Sequence, residues 1–145
     1  MRRHKHTPDP KIERLRSCKL FASFPDSELE EISRTTDEVR LPTGHVLMRE
    51  GDASREAFLI IAGECLVDAG GTEIAVLGPG DLVGEMGLLE LDVRSATVVA
   101  TEPTQVLAFD PRAFSTFVER RGIRTQVMRQ LAERVRRTDQ LRTAG

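Results

Sequence analysis

Residues 80–99 read Gly-Asp-Leu-Val-Gly-Glu-Met-Gly-Leu-Leu-Glu-Leu-Asp-Val-Arg-Ser-Ala-Thr-Val-Val, and the rest of the chain is organised around them. Gly84 and Gly87 bracket Glu85 and Met86, and Leu88 and Leu89 follow. That spacing predicts one short helical turn whose first amide N–H groups point outward, a ready anion site. Arg94 opens the β-branched run that follows, so its guanidinium is expected at the start of a buried strand. A fixed guanidinium fork suits a phosphate.

Glu85 narrows the ligand. A carboxylate beside a phosphate is repulsive unless a neutral donor lies against it, and a sugar hydroxyl is such a donor. Ser95 can donate one more hydrogen bond to the phosphate. The residues together describe a ligand with a phosphate and a ribose hydroxyl close to each other.

The stretch resembles the phosphate-binding cassette of cyclic-nucleotide-binding domains of the catabolite activator protein and protein kinase A regulatory subunit type. Their pattern is roughly Gly-Glu-x-x-Leu-Leu, a short variable loop, then Arg-(Ala/Ser/Thr)-Ala-Thr-Val. Gly84, Glu85, Leu88, Leu89, Arg94, Ser95, Ala96, Thr97 and Val98 match it. Carried over by position, the resemblance implies that Arg94 pairs with the cyclic phosphate and Glu85 takes the ribose 2′-hydroxyl. The amides around Gly84, Glu85 and Met86 complete the cradle, and Val67, Ile74, Val83 and Ala96 belong to the same ligand-binding set. Ser95 stands where Ala accompanies cAMP sites and Thr often supports cGMP, so the reading favours cAMP and keeps cGMP as the alternative. The ligand is a regulator, not a cofactor.

At 145 residues, with 39% hydrophobic and 30% charged side chains, the chain has the size and composition of one globular domain. Cys18 and Cys65 form neither a disulfide framework nor a Cys-x-x-Cys motif. No stretch approaches eighteen apolar residues, and the basic start is not followed by an apolar run. Cytoplasmic placement without membrane contact is the resulting expectation.

Charge is unevenly distributed. Residues 1–19 carry seven basic and two acidic side chains, residues 119–145 eight and three, and residues 20–118 six and eighteen. The ends are therefore each +5 and the middle is −12. An acidic body that binds an anion must place positive charge locally, which singles out Arg94 among the six basic residues of the middle. The basic ends read as solvated or body-packed helices rather than a nucleic-acid surface.

Residues 1–8 form a polar basic tail. In the segment 9–37, Asp9-Pro10 signals a helix start, and Ile12, Leu15 and Leu20 mark its face. Two short helices should meet there at a corner containing Phe21 and Phe24. From Glu38 to 109 the period becomes two: Val39/Leu41, Val46/Met48, Phe58/Ile60, Cys65/Val67, Ile74/Val76, Val98 and Val106/Ala108 lie on short runs separated by Gly- and Pro-containing turns. The expected fold is mainly β with flanking helices: an antiparallel β-roll or jelly roll with short N-terminal helices and two C-terminal helices over 110–145. The opening helices, Pro42 to Asp52 and the apolar run ending at Gly63 extend the resemblance over about residues 15–140.

Asp110-Pro111 repeats the cap signal and starts a helix with Phe114, Phe117 and Val118 inward, ended by Gly122. Along Ile123–Leu141 a stripe of Val127, Met128, Leu131, Val135 and Thr138 follows. It fits equally a homodimer seam through 123–141 and packing on the roll. The resemblance places a base-contacting hydroxyl near Thr138, with Leu131 and Arg134 available as lid residues.

Three functional readings follow. The first is a regulatory domain that binds a cyclic nucleotide and signals through its C-terminal helices to an unidentified effector, either free-standing or as part of a longer transcription factor, transporter or enzyme. The second, an enzyme such as a metal-dependent cupin, lacks its ligands: the histidines are His4, His6 and His45, the last beside a turn. The third is an interaction scaffold without ligand, which the presence of both Glu85 and Arg94 disfavours. Related activators carry a helix-turn-helix after the long helix, and residues up to Gly145 leave no room for one, so no direct nucleic-acid binding is expected.

Overall fold

The computed structural model describes residues 10–52, 56–84, 96–122, 124, 125 and 129. Two short helices open the chain, α1 (Pro10–Arg16) and α2 (Asp26–Ser33). No side chain caps α2, but Asp26 and Glu28 occupy its first turn, where carboxylates oppose the positive end of the helix dipole. At its other end Lys11 Nζ donates to the Thr36 carbonyl at 2.8 Å, and the Thr36 hydroxyl donates to the Ser33 carbonyl at 2.8 Å. These bonds tie α1 to the exit of α2.

Eight strands follow: β1 (Thr36–Leu41), β2 (Val46–Met48), β3 (Ala57–Ala62), β4 (Cys65–Ala69), β5 (Thr72–Leu77), β6 (Leu82–Val83), β7 (Thr97–Ala100) and β8 (Thr104–Phe109). They form two four-stranded antiparallel sheets, ordered β1-β8-β3-β6 and β2-β7-β4-β5. Apart from the β4–β5 hairpin, successive strands alternate between the two sheets, as in the expected roll. Helix α3 (Pro111–Arg121) closes the described fold. The Asp110 carboxylate accepts from the Arg112 and Ala113 amides, and Gly122, at φ 67°, ends the helix in the left-handed conformation.

The core has two compartments. One lies between the helices and the first sheet and contains Leu15, Phe21, Leu29, Ile32, Leu59, Leu107 and Phe114, among others. The other fills the space between the sheets with Leu41, Leu47, Phe58, Ile60, Cys65, Val67, Val83, Ala96, Val98 and Val106. β3 and β8 serve both: Leu59 and Leu107 face the helices while Phe58, Ile60 and Val106 face the second sheet.

The period-two reading captured mostly the second compartment, and two of its pairs come out differently. In β2 the buried residue is Leu47, while Val46 and Met48 are half-buried. In β5, Val76 is exposed, because a bulge opposite Val67/Asp68 leaves Ile74 without a directly opposed partner. The bulge lets Ile74 and Ala75 both pack on the inner cluster.

Aromatic rings join the helices to the first sheet. Phe21 lies 5.8 Å from Phe109 in a stacked arrangement and 6.3 Å from Phe114 edge to face, and Phe109 meets Phe114 at 5.8 Å. Glu31 on α2 accepts from both Arg120 and Arg121 in the last turn of α3.

Gly63, at φ 100°, follows β3 where the chain passes β8. A Cβ built there would stand 2.5 Å from Thr104 Oγ1 and 2.6 Å from the Pro103 carbonyl oxygen. Only glycine fits that approach.

Phe21 is fully buried and touches three other rings. Phe21→Ala is expected to cost about 3–5 kcal/mol of folding stability, measured as a lowered denaturant midpoint. A loss below about 1 kcal/mol, within the range of surface substitutions, would show that the ring cluster is not the joint.

Candidate ligand-binding site

β6 and β7 lie in different sheets, β6 at the edge of the first and β7 inside the second. The stretch read as a phosphate cassette therefore leaves one sheet and returns to the other. Its departure point is fixed by short bonds: the Ile60 amide donates to the Asp81 carbonyl at 2.9 Å, and the Gly80 amide donates to the Ile60 carbonyl at 2.9 Å. Asp81 also accepts the Gly78 amide on Oδ2 at 2.8 Å, which closes the turn before β6. Phe58 and Leu59 pair with Val83 and Leu82.

Gly84 has φ 75° and turns the chain out of β6. On the return side Ala96 is buried, and Val98 pairs with Val67. Val67, Val83 and Ala96 belong to one cluster between the sheets, and Ile74 packs against it. Four of the sequence-predicted ligand residues, drawn from three strands and the residue before β7, thus converge on one interior. Glu85, Met86, Arg94, Ser95 and Thr138 lie outside the described residues.

The interior side of this cluster is apolar. Among the described residues the buried polar side chains are Ser33, Thr35, Thr36 and Thr104; the first three sit at the α2–β1 junction, and Thr104 begins β8. Such walls suit a planar ring or the apolar face of a sugar. Among the described residues no group of three or more His, Cys, Asp and Glu side chains could hold a metal ion. His45 is exposed, as its place beside a turn suggested.

Reading the sequence missed the clamp around Gly80. An ideal Cβ at Gly80 would lie 3.2 Å from the Ser17 carbonyl oxygen, and φ there is 93°. The corner between α1 and α2 thus rests on the turn that leads into β6. The Gly78-Pro79-Gly80 sequence signalled a turn but nothing of what packs on it.

Cys65 lies in the same cluster and is fully buried. Burial pushes its thiol above the ordinary value of 9.0, the neighbouring Glu64 charge adds to the rise, and a hydrogen bond with Thr104 opposes it. Cys18, also buried, belongs to the helical compartment.

The cyclic nucleotide-binding domain family matches residues 38–121. Over 126 residues the chain is 24% identical to the CRP-like cAMP-activated global transcriptional regulator of Mycobacterium tuberculosis, covering 83% of this chain and 56% of that protein. Over 111 residues it is 33% identical to the Pycsar effector protein XpPycTIR of Xanthomonas perforans, covering 72% of this chain and 37% of that protein. A solved structure of a putative cyclic nucleotide-binding protein from Geobacter metallireducens superposes with a TM-score of 0.75 at 25% identity, covering 88% of this chain and 96% of that one. The chain spans about half the length of the first curated relatives it matches. No helix among the described residues is long and apolar enough to cross a membrane.

Because the folded Cys65 thiol holds its proton more tightly than the unfolded one, the stability it contributes is present below the unfolded value. That stability is lost as pH rises from the unfolded value toward the folded one. Urea titrations across the alkaline range should show stability falling above pH 9.0 in the native chain, and a shallower fall in Cys65→Ala. Identical pH slopes would mean that other groups carry the decline.

Proposed function

The chain belongs to the cyclic nucleotide-binding domain family, and on that premise we propose that it is a cAMP sensor whose ligand seats between the sheets beneath residues 84–96. The observation that carries this reading is the convergence of Val67, Ile74, Val83 and Ala96 on one apolar interior, with the two ends of the cassette anchored beside it. Arg94 takes the cyclic phosphate, the amides at Gly84 to Met86 complete the cradle, Glu85 accepts the ribose 2′-hydroxyl, and Ser95 adds a donor. Thr138 reaches the base. No proton transfer is required of any of these residues, and the reading assigns no catalysis to the chain.

cAMP is preferred to cGMP because Ser95 lacks the methyl of the Thr that accompanies many cGMP sites, and because the Mycobacterium tuberculosis relative is described as cAMP-activated. Occupancy is passed on through the C-terminal helices. α3 shares the helical compartment with Leu59 and Leu107, whose strands also wall the space between the sheets. A ligand that binds one arrangement of these layers more tightly shifts the population toward it. The effector that reads this shift is a separate protein or a neighbouring domain.

Arg94→Ala is expected to weaken cAMP binding by about 2–5 kcal/mol with an unchanged far-ultraviolet spectrum, read by titration calorimetry. Equal affinity in both proteins removes Arg94 from the site. Glu85→Gln should reduce the preference for cAMP over 2′-deoxy-cAMP, and a native protein that binds both equally shows that Glu85 has another role. A thermal-shift panel of cAMP, cGMP and 5′-AMP ranks the ligands, since selective binding to the folded state raises the melting temperature. No shift with any of them favours the ligand-free scaffold.

A further inference from the structure

Glu50 lies outside every helix and strand and outside the residues assigned to the nucleotide, yet it bonds to two places that bound the ligand wall. It occupies the second position of the turn over 49–52, which the Asp52 amide closes by donating to the Arg49 carbonyl at 3.1 Å. Gly51, at φ 86°, takes the third position, as a type II turn requires. The turn does not use the Glu50 amide, and that amide donates to Thr97 Oγ1 at 3.0 Å.

Thr97 begins β7, soon after Arg94, and pairs with Asp68 of β4. β2 runs beside β7 only as far as Met48, opposite Val98, so the bond from Glu50 to Thr97 continues a contact that the ladder has given up. The Glu50 carboxylate reaches the other way. Gly70 and Gly71 form a two-residue loop between Ala69 and Thr72, and such a loop leaves its own amides outside the ladder. The Gly71 amide donates to Asp68 Oδ1 at 2.9 Å, within the hairpin. The Gly70 amide donates to Glu50 Oε1 at 2.9 Å, across 20 residues of sequence.

Strand ends and hairpin tips are where a sheet opens at lowest cost. One residue thus pins both the point where the cassette re-enters the sheet and the tip of the hairpin whose strands carry Val67 and Ile74. The neighbouring acids argue against a purely stabilising role. Asp68 faces Glu73 across the hairpin, and a third carboxylate at Glu50 adds like charge to that corner. We propose that Glu50 is a positioning residue of the ligand site, acting through Thr97 on the cassette and through Gly70 on the β4–β5 hairpin. The inference rests on the nucleotide reading, and it assigns Glu50 no contact with the ligand.

Titration calorimetry with cAMP, run on the full chain far below its melting temperature, tests it. Glu50→Ala is expected to raise the dissociation constant about fivefold, the net contribution of one hydrogen bond. Thr97→Val, which removes the other acceptor, should do the same. Glu50→Gln keeps an oxygen that accepts the Gly70 amide and should restore binding to within about twofold of the native chain. A melting temperature lowered by Glu50→Ala with an unchanged dissociation constant assigns Glu50 to stability alone and overturns the proposal; so does a Gln variant as weak as the Ala variant. A native chain that does not bind cAMP sinks the nucleotide reading instead, and amide hydrogen exchange then decides what Glu50 holds. Exchange at 66–76 and 96–99 should quicken in Glu50→Ala while β3 and β8 stay as protected as before, and equal exchange in both chains overturns the positioning role.

Discussion

The constraint on which the site depends is that β6 and β7 belong to different sheets while Val83 and Ala96 share one interior cluster. Whatever course residues 85–95 take, they must begin and end at fixed points over the space between the sheets. Those points are held by backbone bonds between Ile60 and the Gly80–Asp81 turn and by the pairing of β7 with β4. Both ends of that connection are thus held by two sheets that contribute mainly apolar side chains. Precise contacts on a loop need such a scaffold, because a loop alone spends binding energy on being ordered.

The charge distribution supports the same division of labour. Acidic side chains dominate the middle of the chain, and those described lie mainly on its surface. An anionic ligand approaching such a body meets repulsion except where a guanidinium is held in place, so selectivity for the site is strengthened by the unfavourable field around it.

Much of this was legible in the sequence because its signals were local. The Asp110-Pro111 start and Gly122 stop of α3 depend on backbone groups within one turn, and the strand runs ended at glycine-containing turns. The cassette could be recognised because its residues are close in sequence. The two-sided burial of β3 and β8 was missed, since alternate residues were read in runs that are apolar throughout. The reversal at Val76 was missed because a bulge depends on what the partner strand does. The packing of the Ser17 carbonyl against Gly80 and the pairing of Glu31 with Arg120 and Arg121 were invisible for a related reason: they join residues whose proximity exists only after folding.

Two-sided burial has a consequence for alignment within the first sheet. In a strand with one wet face, slipping by a residue exposes every apolar side chain, and that penalty fixes the pairing. β3 is apolar on both faces over Ala57–Ile60, so the penalty is weak there. What distinguishes one alignment from the next is the place where β3 ends: Gly63 lies so close to Pro103 and Thr104 that any neighbour bearing a side chain would collide. In the most apolar part of this molecule, correct strand alignment is encoded by the absence of a single carbon atom.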